Sequence, residues 1–265
     1  MLNWLKEPAT RGMDIDDPST TALRRDIIRQ KKPLFHIYEE WYRGILDALP
    51  TQEGPILEIG SGAGFLREFV PHLITSDVMA VPGVDMVLDA HNLPFADDGL
   101  KAITMVNVLH HLADPRRFLA EAGRCIAPHG ALVMVEPWVT TWSKLIYTHL
   151  HHEPFDPRAK EWVVASQGPL SGANGALPWI IFHRDREQFE REFPYWQIET
   201  IRISMPFRYL ISGGMSYRSL MPGRTLAFWR WLERRMAPFM NRWGMFALIC
   251  LRRQARMRGT PSMRG

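Results

Sequence analysis

Apolar positions along the chain follow two regimes. Behind Pro33, Leu34, Ile37, Tyr38, Trp41, Ile45, Leu46 and Leu49 recur at helical spacing, with Pro33 where a first helical turn tolerates it. A shorter helix is expected before it, ending at Gln30 and capped by Ser19 or Thr20 after Asp17-Pro18. Beyond the break at Pro50 to Pro55, short apolar runs alternate with helical segments. Strands are expected at Ile56 to Ile59, Leu73 to Ser76, Val84 to Leu88, Ala102 to Val108 and, after a Pro-His-Gly turn, Ala131 to Val135. Between them lie a short helix from Phe65 to Val70, ended by Pro71, and a helix opened by Asp114-Pro115 with Phe118, Leu119, Ala122 and Ile126 on its apolar stripe. Strands that alternate with helices predict a doubly wound α/β domain whose parallel sheet is covered on both faces.

Past residue 137 the alternation is interrupted twice. Pro137 to Pro178 and Pro206 to Gly244 read as insertions, the second built around a helix from Leu226 to Met236. A helix at Arg186 to Phe193 and strands at Trp196 to Ser204 and Phe246 to Leu251 resume the fold. One domain over 1–265 is therefore expected: N-terminal helices (1–50), a core (54–137), insertions (138–185 and 206–244), a closing helix with strands (186–205 and 245–252) and a basic tail (253–265).

Composition narrows this only a little. With 265 residues, 46% hydrophobic and 23% charged, the chain can bury a substantial core. The start, MLNWLKEPAT, holds no apolar run of leader length, and MFALICL is too short to span a bilayer. A cytoplasmic protein is expected, with Cys125 and Cys250 as inert core thiols. The net charge of +4 is uneven, because arginines dominate from Arg218 onward. A solvated basic tail is the plain reading, and an acidic partner or membrane surface the alternative.

The most specific signal is ILEIGSGAGF, Ile56 to Phe65, a strand running into a glycine bend. Such bends bring the backbone close to a nucleotide. Its spacing is E-x-G-x-G-x-G (Glu58, Gly60, Gly62, Gly64), not the dinucleotide G-x-G-x-x-G, which argues against a nicotinamide enzyme. Asp77 follows at the end of the second strand, where a carboxylate can accept two ribose hydroxyls. LDAHNLPF, MVNVLHHLADP and ALVMVEP then come in order. Together these stretches, from about Gly54 to Pro137, resemble the class I S-adenosylmethionine-dependent methyltransferases of the type-11 (UbiE-like) group.

That resemblance implies a Rossmann-like sheet and S-adenosylmethionine as cofactor. It implies a cofactor site made by Glu58, Gly60, Ser61, Gly62, Gly64, Asp77, Asp89, Ala90 and Asn107, with Glu58 near the donor's cationic end and Asp89 at the adenine amino group. One departure stands out: the family's helix between its second and third strands is replaced by the six-residue link Val78 to Gly83.

Methyl transfer needs an in-line acceptor and, for a hydroxyl, a proton acceptor. Histidine suits that task. The expected catalytic candidates are His110, in the loop with His111 after strand four, and His151 and His152 of the cluster HLHHEPFDP. Glu136 reads as either a structural cap or a substrate contact. The cluster, which also holds His149, Glu153 and Asp156, reads most plainly as a polar pocket wall or loop packing, with a catalytic base or a metal site as alternatives; no metal is expected. SGANGALPW and SGGMSYRS, the latter with Arg218, are expected as lid loops, with contact to an anionic substrate group as the alternative. In TLAFWRWLERRMAPFMNRW, Leu226, Trp229, Leu232 and Met236 form one stripe, while Phe228, Trp231 and Phe239 lie among arginines. This second face packs within the protein, joins a homodimer through 224–243, or meets an anionic membrane.

The function expected is O-methylation of a small, lipid- or sugar-linked metabolite. C- or N-methylation, and a catalytically silent cofactor-binding subunit, stay open. Nucleic acid is not an expected partner, since the basic residues form no stripe.

Overall fold

In the computed structural model the described residues are 6–10, 12–14, 16–150, 153–164, 168 and 172–255. Two helices open the fold, α1 (Pro18–Gln30) and α2 (Lys32–Ala48). The cap of α1 is Asp17 rather than Ser19 or Thr20, because its carboxylate accepts the Ser19 N–H at 2.7 Å with Pro18 in the first turn. The predicted stripe of α2 is its buried face, from Leu34 through Ile45.

The sheet comprises β1 (Ile56–Ile59), β2 (Leu73–Asp77), β3 (Met86–Val87), β4 (Leu100–Val106), β5 (Ile126–Pro137), β6 (Trp196–Ser204) and β7 (Phe246–Arg253). They lie in the order β3-β2-β1-β4-β5-β7-β6. The first five are parallel, and β7 runs antiparallel between β5 and β6. Helix α3 (Pro115–Cys125) links β4 to β5, capped by Asp114 through the Arg117 N–H. The remaining helices are α4 (Thr141–Leu150), α5 (Leu177–Trp179, continued by a π turn), α6 (Arg186–Glu192), α7 (Arg208–Ser212), α8 (Leu226–Arg235) and α9 (Met240–Trp243).

β5 shows why the central strands read as unbroken apolar runs. Leu132 and Met134 join the layer of α3, α5 and α6, whereas Ala131, Val133 and Val135 join the layer of α2. From Ala131 to Pro137 each face buries every second residue, so no position there is left to water.

Several elements differ from the pattern. The helix expected at Phe65 to Val70 is a single 3-10 turn, Leu66–Glu68. The glycine bend runs to Gly64 and Pro71 blocks helical geometry before it, which leaves room for about one turn. β4 ends at Val106 because Asn107 takes a left-handed conformation, φ 57°. The Pro-His-Gly segment is not a separate turn but a bulge inside β5, between the pairs Leu100–Ile126 and Ala102–Ala131, with His129 at φ 65°. Ile126 therefore belongs to that strand and not to α3. β3 is only two residues long, paired at Ser76–Met86 and Asp77–Val87 across a link that carries no helix. Cys125 and Cys250 are both free, buried thiols.

Candidate active site

The carboxyl ends of β1, β2, β4 and β5 open into one cavity of about 300 Å³. All nine residues expected to hold the cofactor line it, as does His110. His151, His152 and Ser171 lie outside the described residues.

At one end of the cavity the glycine bend crosses the tip of β4. Gly60 sits at φ 68°, and a Cβ there would stand 2.4 Å from Val108 Cγ2. Both facts demand glycine. Gly60→Ala is expected to push the bend off Val108 and weaken S-adenosylhomocysteine binding at least tenfold, as read by calorimetry. Asp77 faces the bend, one oxygen accepting the Gly62 N–H at 3.1 Å and the other the Met79 N–H at 3.0 Å. Burial raises its pKa against these bonds and a further one from the Val78 backbone. Asp89 is more exposed and is bonded by the backbone and ring N–H groups of His91, which outweigh burial and hold its carboxyl low.

Glu58 is buried behind the bend. Desolvation raises its pKa to about 7 against the Ser61 hydroxyl bond, Arg67 and Arg25. Asn107 Oδ1 is buried with no hydrogen-bond partner. An ionisable carboxyl and an orphaned carbonyl oxygen on one cavity wall suit a donor that carries an ammonium group. The residues present thus fit S-adenosylmethionine.

Sequence reading missed the contribution of α1 and α2. Arg25 of α1 donates to the Gly62 carbonyl at 2.6 Å and to the Pro82 carbonyl at 3.1 Å, tying the bend to the helix-free link after β2. Tyr42 of α2 accepts the Phe65 N–H at 3.0 Å. Both side chains sit on helices whose docking no local pattern reveals.

The other end of the cavity is aromatic and apolar, walled by Tyr147, Phe155, Tyr209, Met215 and Phe246. Tyr147 and Phe155 come from the first insertion, Tyr209 and Met215 from the second. Between the two ends lies His110, 2% exposed. Its Nδ1–H donates to Glu136 Oε2 at 2.6 Å, and its Nε2 lies 3.6 Å from the Glu153 carboxylate. Glu136, fully buried, also accepts the N–H groups of Val108 and Leu109, both at 2.8 Å. Of its two expected readings, the structural cap is what the geometry shows.

Burial disfavours the charged form of His110, but Glu136 and Glu153 outweigh it and carry its pKa up to about 9. His111, with Nδ1–H donating to the Gly172 carbonyl at 3.0 Å, is pushed down to about 4 by burial and by the charge of His110. The two carboxylates beside His110 favour its protonated form. The neutral imidazole belongs to His111.

The seven-stranded sheet and its cavity are those of a Rossmann-like class I methyltransferase fold, and residues 57–134 match the family model described as "Methyltransferase domain". The chain is 32% identical over 130 residues to a demethylmenaquinone methyltransferase of Paenarthrobacter aurescens, covering 42% of this chain and 51% of that one. It is 31% identical over 155 residues to one of Renibacterium salmoninarum, covering 52% and 60%. The chain thus spans little more than half the length of the curated relatives it matches. A methyltransferase solved with the Haloferax volcanii Trm112 methyltransferase activator shares the fold, with TM-score 0.52, 13% identity, and coverage of 92% of this chain and 100% of that one.

Proposed function

We propose that the chain transfers a methyl group from S-adenosylmethionine to an oxygen of an apolar, lipid- or sugar-linked small molecule. The observation that carries this reading is the continuity of one cavity from Gly60, Asp77 and Asn107 to the aromatic chamber of Tyr147, Phe155, Tyr209 and Phe246. Bound S-adenosylmethionine supplies an activated methyl on its sulfonium. Glu58 and Asn107 hold the donor's ammonium, Asp77 the ribose hydroxyls, and Asp89 with Ala90 the adenine. The apolar chamber excludes water and orients the acceptor, and the group of His110, His111 and Glu153 receives its reacting oxygen. The relatives' names support a lipid-soluble quinone-type acceptor, and a ring carbon of such a molecule is the second reading. The test is calorimetry with S-adenosylhomocysteine and NADH, followed by labelled donor and a cellular lipid extract. Micromolar binding of S-adenosylhomocysteine alone and label in the lipid fraction are expected. Binding of NADH alone overturns the reading.

The acceptor is taken up at an anionic membrane. Phe228, Trp231 and Phe239 are exposed at 54%, 48% and 56%, among Arg230, Arg234 and Arg235. The stripe of Leu226, Trp229, Leu232 and Met236 is the half-buried inner face. Arg208 anchors α8 from beneath, pairing with Glu233 at 2.5 Å and with Glu40 at 2.7 Å. An aromatic face ringed by arginines suits an anionic interface. No helix among the described residues is long and apolar enough to cross a membrane. Co-sedimentation with phosphatidylglycerol vesicles is expected, falling at least tenfold in Phe228→Ser/Trp231→Ser and absent with phosphatidylcholine. A solution dimer that the same substitutions dissolve, with no vesicle binding, overturns it.

A further inference from the structure

The geometry points to a divalent transition-metal site formed by His110, His111 and Glu153 between the two ends of the cavity. Each residue offers one ligand atom, and these atoms all lie within 4.8 Å of one another. On a tetrahedral ion with bonds of about 2.1 Å, neighbouring ligand atoms stand roughly 3.4 Å apart. The separation of His110 Nε2 from the Glu153 carboxylate is 3.6 Å, close to that spacing, and the other pairs lie within 4.8 Å.

The surroundings of the two imidazoles are those that orient histidines toward a metal. His110 Nδ1–H is held by the Glu136 carboxylate and His111 Nδ1–H by the Gly172 carbonyl. A carboxylate or backbone carbonyl behind a ligating histidine fixes its tautomer and aims the opposite nitrogen at the ion. Both Nε2 atoms are thereby left with a lone pair for an ion, and that of His110 lies 3.6 Å from the Glu153 carboxylate. The rings are 4.2 Å apart between centroids, packed too closely for both to carry charge without a shared anion or cation. Two imidazoles and one carboxylate suit Zn²⁺, Mn²⁺ or Fe²⁺ and leave coordination positions open. His110, His111 and Glu153 all line the cavity, which gives those positions access to an acceptor.

Adjacent histidines in the sequence gave no metal-ligand spacing, because the third donor comes from the first insertion. For the reaction, the role of the ion rests on the methyl-transfer reading above; its binding does not. An ion held by these residues would act as a Lewis acid on an acceptor hydroxyl, which would release its proton to solvent as it binds. The acceptor oxygen then bonds the methyl carbon while the carbon–sulfur bond breaks and leaves its electron pair on sulfur.

The test uses the full chain after dialysis against EDTA. Zn²⁺ titration by calorimetry, with Co²⁺ absorption as the spectroscopic probe, is expected to show one equivalent bound at micromolar affinity or better. His111→Gln and Glu153→Gln each lower that affinity at least a hundredfold and abolish the Co²⁺ bands, while His149→Gln, on the exposed face of α4, leaves both unchanged. S-adenosylhomocysteine titrated into the same samples reports the fold and the donor site separately. Absence of stoichiometric Zn²⁺ binding, or binding that survives His111→Gln and Glu153→Gln, overturns the metal site and leaves the donor reading standing. Intact metal binding with no S-adenosylhomocysteine binding does the reverse.

Discussion

Glu136→Ala is expected to lower the melting temperature by roughly 10 °C or more. The carboxylate is fully buried and accepts from two backbone N–H groups and from the His110 ring. Truncation strands all three donors and leaves the buried His110 ring with only the more distant Glu153 as counter-charge. Breaking a buried pair from one side costs about 3–5 kcal/mol. Each kcal/mol is worth about 2–4 °C in a chain of this size. Glu136→Gln keeps an acceptor for the Val108 and Leu109 N–H groups and is expected to recover part of the loss. Calorimetric melting checks both variants, and a shift below about 3 °C in the alanine variant would contradict the assignment of Glu136 as the cap of this turn.

The second large effect has opposite signs for stability and binding. Glu58→Gln is expected to stabilise the ligand-free chain at pH 8 and to weaken S-adenosylhomocysteine binding roughly ten- to hundredfold. Burial raises the folded pKa of Glu58 to about 7 from an ordinary 4.5. A carboxyl whose folded pKa lies above its unfolded one binds its proton more tightly in the folded chain, so stability falls as pH rises from about 4.5 through about 7. The full loss is about 3 kcal/mol, and glutamine removes it. His110 contributes stability that is present below its ordinary 6.5 and lost as pH passes about 9, but it does so in both proteins. Their difference therefore isolates Glu58. Ligand affinity should rise with pH between 6 and 8 in the parent and stay flat in the variant. Equal affinity of parent and variant at pH 8 would remove Glu58 from the donor's ammonium.

The central sheet was legible because strands buried on both faces write themselves as continuous apolar runs, and β6 matched its alternating pattern from Trp196 to Ser204. What escaped was set by pairing rather than by composition. β3 holds only Met86 and Val87, the residues that β2 can reach across the short link. β5 hides its bulge behind Pro128, His129 and Gly130, which read as a turn on local chemistry alone. The glycine bend and the aspartates at or just past the ends of β2 and β3 were legible for a related reason, since they are local features. The acceptor end was not, since His111 and Glu153 meet only after the first insertion folds back. Tyr42 and Arg25 likewise act through helices whose apolar stripes announce burial and say nothing of hydroxyl or guanidinium partners.

The tie made by Arg25 bears on where this molecule can be cut. One guanidinium fastens the phosphate-free bend and the bare strand-to-strand connector to the leading helix, which stands in for the missing crossover segment. An excised fragment holding only the conserved-family stretch would keep its sequence signature and lose the brace that shapes the nucleoside pocket. The amino-terminal helix is thus an integral wall of the cavity.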